Sequence, residues 1–227
     1  MEKIINGVEY LITTSTMGEM RASVQDLIVS ERSRTKEFTI PATVDGIPVV
    51  AILQDAFQDA YWLEKVNLPH TMCSIGAGAF DNCIKLKEVS IACRNTQVDI
   101  HRNAFSRCHK LERINMDYDS VLSLKGPGIF KDCDVLRSLP PIIGSIPAHT
   151  FLRCGLKTIT ILGNVYLDSE SLSHCNLDRI YCDKLEGING DYTPFEKIQI
   201  IASEISDMME YLVYNGYPSR VEELPIF

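Results

Sequence analysis

The chain opens without an export signal: Met1 to Leu11 contains Glu2 and Glu9 and only short apolar runs. Neither a signal peptide nor a transmembrane helix is written there, so the chain as it stands is expected to be cytoplasmic, with no membrane span. No two of the eight cysteines lie two to four residues apart, which excludes the paired-thiolate spacing of a structural zinc site. Positive charge is in deficit, 22 Lys and Arg against 30 Asp and Glu, for a formal net charge of −8. Such a surface has no attraction for phosphate backbones, and nucleic acid is excluded as a partner. H-E-x-x-H, G-x-S-x-G, phosphate-loop and dinucleotide signatures are all missing. His70, His101 and His149 stand singly, and no Asp, Glu and His cluster at metal spacing. No catalytic, cofactor-binding or metal-binding residue is expected, and no enzyme.

What is present is ordinary in bulk and periodic in detail. Hydrophobic residues make up 45% and charged residues 23%, which sets aside disorder, collagen and coiled coil. The segment Ile75-Gly-Ala-Gly-Ala-Phe80-Asp-Asn-Cys83-Ile-Lys-Leu86-Lys-Glu-Val89-Ser-Ile91 returns as Ile100-His-Arg-Asn-Ala-Phe105-Ser-Arg-Cys108-His-Lys-Leu111-Glu-Arg-Ile114-Asn-Met116. An anchoring column runs Phe57, Phe80, Phe105, Phe130, Phe151 and Leu172, in steps of 23, 25, 25, 21 and 21 residues. Three residues after each anchor stands a small residue: Ala60, Cys83, Cys108, Cys133, Cys154, Cys175. The next apolar position, Leu63, Leu86, Leu111, Leu136, Leu156 and Leu177, opens an L-x-x-V-x-L strand pattern. A period of 20 to 29 residues is that of leucine-rich repeats.

The combination A-F-x-x-C-x-x-L, then V-x-I-P, then Ile five residues before the next Phe, resembles the BspA-type leucine-rich repeat. The resemblance covers roughly residues 36 to 201, with longer third and fourth repeats, shortened fifth and sixth, and a degenerate last unit from Ile188 to Ile201. It implies a right-handed, β-rich solenoid with a parallel sheet on its concave face, and a role in adhesion or host interaction at a bacterial surface. A secreted or surface-displayed chain whose signal has been removed is therefore the alternative to a cytoplasmic one. One repeat buries too little apolar surface to fold alone, so stacking supplies the core. The strand columns are expected at Phe38, Val66, Val89, Ile114, Leu139, Ile159, Ile180 and Ile198.

Residues not used to find that register support it. The position after the opening Leu reads Lys36, Glu64, Lys87, Glu112, Arg137, Lys157, Asp178, Glu196, and five of the seven adjacent pairs are opposite in sign. The following position reads Glu37, Lys65, Glu88, Arg113, Ser138, Thr158, Arg179, Lys197. Strands about 4.8 Å apart would place these charges against one another, avoiding like-charge stacking and pinning register.

Both ends need covers. Residues 1–35 read as a β-rich cap, with strands at Val8–Ile12 and Met20–Val29, 36–201 as the solenoid of six to seven repeats, and 202–227 as a helical cap and tail. Asp45-Gly46 marks a hairpin turn. Ile205, Met208, Met209, Leu212 and Val213 follow helical spacing after Ser203, an N-cap candidate, and stop at Asn215-Gly216. Five column cysteines are expected to be inert and buried, which removes the thiol–imidazole reading of Cys108-His109 and His174-Cys175. Cys73, Cys93 and Cys182 fall outside the column and are expected to be exposed or paired. Gly76-Ala-Gly78 and Gly126-Pro-Gly128 fall in the turn before the anchor, where tight backbone geometry accounts for them.

These features describe a non-catalytic module that binds a protein or glycan partner, host-derived ones included. A structural scaffold within a larger assembly is the alternative. The partner-binding residues are placed at Arg137, Thr158, Thr160, Arg179 and Tyr181, where the charge alternation breaks down. Arg137 beside Lys157, and Arg179 beside Lys197, would leave cationic spots there.

Overall fold

The computed structural model describes residues 1–27, 36–92 and 96–222; Val29 of the expected second cap strand, and Cys93, lie outside the described residues. The chain begins as a meander of β1 (Glu2–Ile5), β2 (Val8–Thr14) and β3 (Met20–Leu27), paired antiparallel. Asn6 and Gly7, at φ 50° and 77° within the left-handed region's usual spread, close the first hairpin in the geometry that Asn-Gly favours. Val8, Tyr10 and Ile12 alternate inward and are buried. β3 then turns from antiparallel to parallel company, setting Ala22 opposite Val49.

β4 (Glu37–Thr39) follows, then β5 (Thr43–Val44) and β6 (Ile47–Ile52), a hairpin turned by Asp45 and Gly46 with positive φ at both. From there the strands alternate between two sheets: β7 (Lys65–Leu68), β8 (Ser74–Ile75), β9 (Glu88–Ile91), β10 (Gln97–His101), β11 (Arg113–Met116) and β12 (Val121–Lys125). The first member of each turn, β4, β7, β9 and β11, joins a 4-stranded parallel sheet with Phe38, Val66, Val89 and Ile114 in register. The other members extend a 13-stranded sheet that runs from β1 through β6, β8, β10 and β12 to β13 (Ile142–Ile143), β14 (Thr158–Asp168), β15 (Arg179–Asn189), β16 (Gln199–Ala202) and, after helix α1 (Asp207–Tyr214), β17 (Ser219–Val221).

The expected column changes character at Leu139. Pro140 and Pro141 have no N–H to donate, so Leu139 enters no strand and the small sheet ends in a single bridge from Arg113 to Ser138. Beyond it Ile159 lies opposite Ile180 as expected, but Ile180 lies opposite Ile200, not Ile198. The cause is the 3-10 turn Thr193–Glu196, which consumes residues and buries Phe195 before the strand begins. Ile198 is still buried, ahead of the strand.

The interior is a set of aligned columns. Phe57, Phe80, Phe105, Phe130 and Phe151 stack with ring centroids 5.0, 5.3, 5.7 and 6.0 Å apart and interplanar angles of 13° or less, and Phe38 meets Phe57 edge-on at 6.2 Å. Each turn's backbone bonds to the next: Phe57 N–H donates to Ala79 O (2.8 Å), Phe80 N–H to Ala104 O (2.8 Å), Phe105 N–H to Ile129 O (3.0 Å) and Phe130 N–H to Thr150 O (2.9 Å). The cysteine column is bonded too: the thiols of Cys83, Cys108 and Cys133 donate to the carbonyls of Phe57, Phe80 and Phe105 at 3.0–3.1 Å. A small apolar residue with a weak donor fits a packed site beside a spare carbonyl lone pair, which explains why cysteine recurs there.

Two residues before each Phe the backbone is left-handed: Asp55, Gly78, Asn103, Gly128 and His149 have φ between 54° and 69°. A Cβ on Gly78 would lie 2.2 Å from Asp55 Oδ1, and one on Gly128 would lie 2.3 Å from Asn103 Oδ1. The glycines are there because the preceding turn's side chain occupies the space.

Helix α1 starts three residues after the expected point. Ser206, not Ser203, caps it, accepting from Met209 N–H (3.2 Å) while its own hydroxyl donates to Leu185 O. Met209 and Leu212 are buried against the solenoid, whereas Ile205 and Val213 are exposed. The helix packs on β15 and β17, and Gly216 at φ 78° ends it.

Candidate functional site

The outward face of the small sheet is where the charge ladder can be tested. Glu64 accepts from Lys87 (2.6 Å) and pairs with Lys36 (2.9 Å). Lys65 pairs with Glu37 (3.8 Å) and Glu88 (3.5 Å), and Arg113 pairs with Glu88 and with Glu112 (3.8 Å). The hydrogen bonds from Lys87 and Lys36 pull the Glu64 carboxyl down to about 2. Glu88 is pushed up by partial burial, but its bonds from Arg113 and Ser90 outweigh that and its net shift is downward. Asn67 donates to Glu37 (2.8 Å) and Thr39 (3.1 Å). The charged side chains of this ladder, Lys36 and Glu37 through Glu112 and Arg113, line a shallow groove of 390 Å³ and are answered by one another.

On the C-terminal half the pairing thins. Lys157 pairs with Asp178 at 3.6 Å. Among the described residues Arg137 and Arg179, both exposed, have no ion-pair partner. β14 and β15 bring four of the five expected residues together, with Thr158 opposite Arg179 and Thr160 opposite Tyr181. Arg137 stands apart: its N–H donates to Glu112 O (2.8 Å), and no strand pairing joins it to Lys157. The second cationic spot is also revised, because Arg179 lies opposite Gln199. Lys197 precedes the strand and lines a 660 Å³ cavity with Asp178, Asp191 and Glu196.

The thiols divide differently from the sequence reading. Cys83, Cys108, Cys133 and Cys154 are buried and Cys175 partly so; burial pushes Cys154 up to about 12 and raises the others. Cys73 is exposed as expected. Cys182, expected outside, is fully buried between Ile161 and Ala202, and burial pushes it up to about 12. The alternation Ile180, Cys182 along β15 was the missed signal. His109 Nδ1 lies 2.7 Å from Asp134, while its neighbour Cys108 points inward, so the two do not form a reactive pair. Among the described residues no group of three His, Cys, Asp or Glu side chains is placed to hold a metal ion, and no helix is long and apolar enough to cross a membrane.

One cluster had no place in the sequence reading. Tyr192 has ring contacts with Tyr211 (5.9 Å) and Tyr217 (5.8 Å) at the C-terminal end of the solenoid. Its signal was compositional, since four of the nine tyrosines, Tyr192, Tyr211, Tyr214 and Tyr217, fall close together.

Among solved structures the chain is similar to a leucine-rich-repeat protein of T. pallidum, at 20% identity and TM-score 0.65 over 97% of this chain and 98% of that one. It is also similar to a leucine-rich cell surface protein of Faecalibacterium prausnitzii A2-165, at 21% identity and TM-score 0.65, over 89% of this chain and 54% of that one. At these identities the likeness speaks for the fold alone. No curated protein matches the sequence. The description "BspA type Leucine rich repeat region" matches in six copies over residues 50–178, more than half of the chain. With the Phe, Cys and Leu columns described above, this chain belongs to the BspA-type leucine-rich-repeat family.

Proposed function

We propose that the chain is a non-catalytic recognition module that binds a protein or glycan through the outward face of β14 and β15, at Thr158, Thr160, Arg179 and Tyr181, with Arg137 on the turn before. The observation that carries this reading is the contrast in charge satisfaction. From Lys36 to Arg113 the ladder is paired, whereas Arg137 and Arg179 are exposed cations without ion-pair partners among the described residues, on a chain of net charge −8. Unneutralised arginine beside tyrosine is the chemistry enriched at interface hot spots, and its complement is an acidic patch. Display at a bacterial surface, with adhesion as the outcome, is part of the proposal; it draws on the family resemblance.

A photo-crosslinking residue in place of Thr160 is expected to capture the partner, and one in place of Ser90 is not. With the captured partner purified, Arg179→Ala combined with Tyr181→Ala should weaken binding by about 2 kcal/mol or more, the hot-spot range. Lys65→Ala with Glu88→Ala should change it by less than about 1 kcal/mol. A larger effect from the second pair moves the binding face to the N-terminal half and sinks this reading. Self-association insensitive to both pairs would favour a scaffold.

A further inference from the structure

Three segments converge on the tyrosine cluster. Tyr192 precedes the 3-10 turn Thr193–Glu196, Tyr211 sits on α1, and Tyr217 follows the glycine that ends it. The Tyr192 ring is tilted by 59° to Tyr211 and by 51° to Tyr217. Against Tyr211 and Tyr217 lies an open cavity of 300 Å³, bordered by Glu196 and closed below by Asn215 to Pro218. Among the described residues no lysine or arginine lines it. Burial first, and then the neighbouring Tyr211, Glu196, Tyr192 and Asp191, raise the Tyr217 phenol. The lid needs only the opposite side of α1, where Met209 and Leu212 are buried, while Tyr211 is 48% exposed. Tyr192 and Tyr217 are partly buried against the core, so Tyr211 is the ring that packing alone leaves unexplained.

We propose that Tyr211, Tyr217 and Glu196, with Tyr192 in ring contact with both tyrosines, form a binding site for a trimethylammonium group. Aromatic faces attract a cation through their quadrupole, and a carboxylate at the rim adds charge without competing for the apolar methyl surface. The carboxylate of Glu196 would repel a phosphate next to the ammonium, so a choline-like ligand is preferred to phosphocholine. This site is separate from the face of β14 and β15 and stands without that reading.

The test is a titration of the full chain with choline, phosphocholine and dimethylbutanol, which has choline's shape without its charge, followed by tyrosine fluorescence and by NMR. Choline is expected to bind saturably and at least about fivefold tighter than dimethylbutanol, the scale of an exposed cation–π contact. Tyr211→Ala should lose at least about fivefold, Tyr211→Phe should bind like the parent, and Tyr118→Ala, at a remote exposed tyrosine, should change nothing. If Tyr211→Ala lowers the melting temperature, Glu196→Gln at an exposed position gives the reading instead, with weakened choline binding expected. Equal binding of dimethylbutanol, tighter binding of phosphocholine, absence of a saturable signal, or full retention in a stable Tyr211→Ala or Glu196→Gln variant each overturns the assignment.

Discussion

The turns anchored by Phe57 to Phe130 and those anchored by Phe151 and Leu172 solve the same packing problem with different lengths of chain. In the first group the anchors are 23 or 25 residues apart, and the turns of Phe57, Phe80 and Phe105 each contribute separate strands to two sheets, as β7 and β8 or β9 and β10 do, while the Phe130 turn keeps β13 and only a bridge at Ser138. In the second the step is 21 residues, and the two strand positions fuse into one 11-residue strand, β14, with a register shift between Ile161 and Asn164 beside Gly163. The interior is unchanged by this: Leu136, Leu156 and Leu177 are all buried, as are Ile159 and Ile180. What differs is the outside, where the short turns lose the continuous ion-pair ladder. The core tolerates a shorter loop because it needs only the anchor, the opening Leu and the strand residue, whereas the surface pairs need unbroken register.

The comparison breaks most sharply in the ring stack. Phe80 is stacked on both sides and Phe151 on one, so both alanine substitutions should cost about 3–5 kcal/mol, with Phe80→Ala the costlier by about 1 kcal/mol, the worth of one aromatic pair. Urea midpoints measure this, and equal losses would mean that the stack adds nothing beyond burial. Next in size is the lid. Leu212→Ala should cost about 2–5 kcal/mol, and deletion of 203–227 should lower the melting temperature or cause aggregation. A truncated chain that stays monomeric and melts unchanged would show that the short turns need no cover.

The thiol column should give smaller effects. Cys108→Ala loses a buried bond to Phe80 O and should cost about 1 kcal/mol. In the native protein, labelling should be rapid at Cys73 and slow at Cys83, Cys108, Cys133, Cys154 and Cys182; fast reaction of Cys182 would place the short-turn interior in contact with solvent. The smallest effect is acid sensitivity of the N-terminal ladder. Glu64 has its folded value lowered from 4.5 to about 2, so its contribution is present above 4.5 and is lost as pH falls through about 2. Glu64→Gln should flatten the melting temperature over that window, and Asp178→Asn on the short turns should do so less.

The sequence carried the anchors, the opening leucines, the inward cysteines and the cap hairpin, because each is one residue type recurring at fixed spacing. It failed where two registers were both apolar. Ile198, Gln199, Ile200 and Ile201 offer two alternations, and only the 3-10 turn, which draws Phe195 inside, selects the second. Leu139 sits at a strand-like position in the pattern, but Pro140 and Pro141 supply no N–H donors after it and keep it out of a strand. β17 is three residues with one apolar member, too short for a periodic signal. Of the proposed site, the loss of charge alternation was legible; the separation of Arg137 from Lys157 was not, since it depends on how the shortened turn is threaded.

The left-handed column before the anchors sets a parity on the solenoid. Asp55 leans over Gly78 and Asn103 leans over Gly128, so bulky and bare turns alternate. Excising the Phe80 turn alone would bring Asn103 under Asp55, with a Cβ where a carboxylate oxygen now lies. Removing the Phe80 and Phe105 turns together would bring Gly128 there and preserve the fit. The unit by which this stretch can be lengthened or shortened without a side chain swinging aside is therefore two turns, even though the sequence repeats every one.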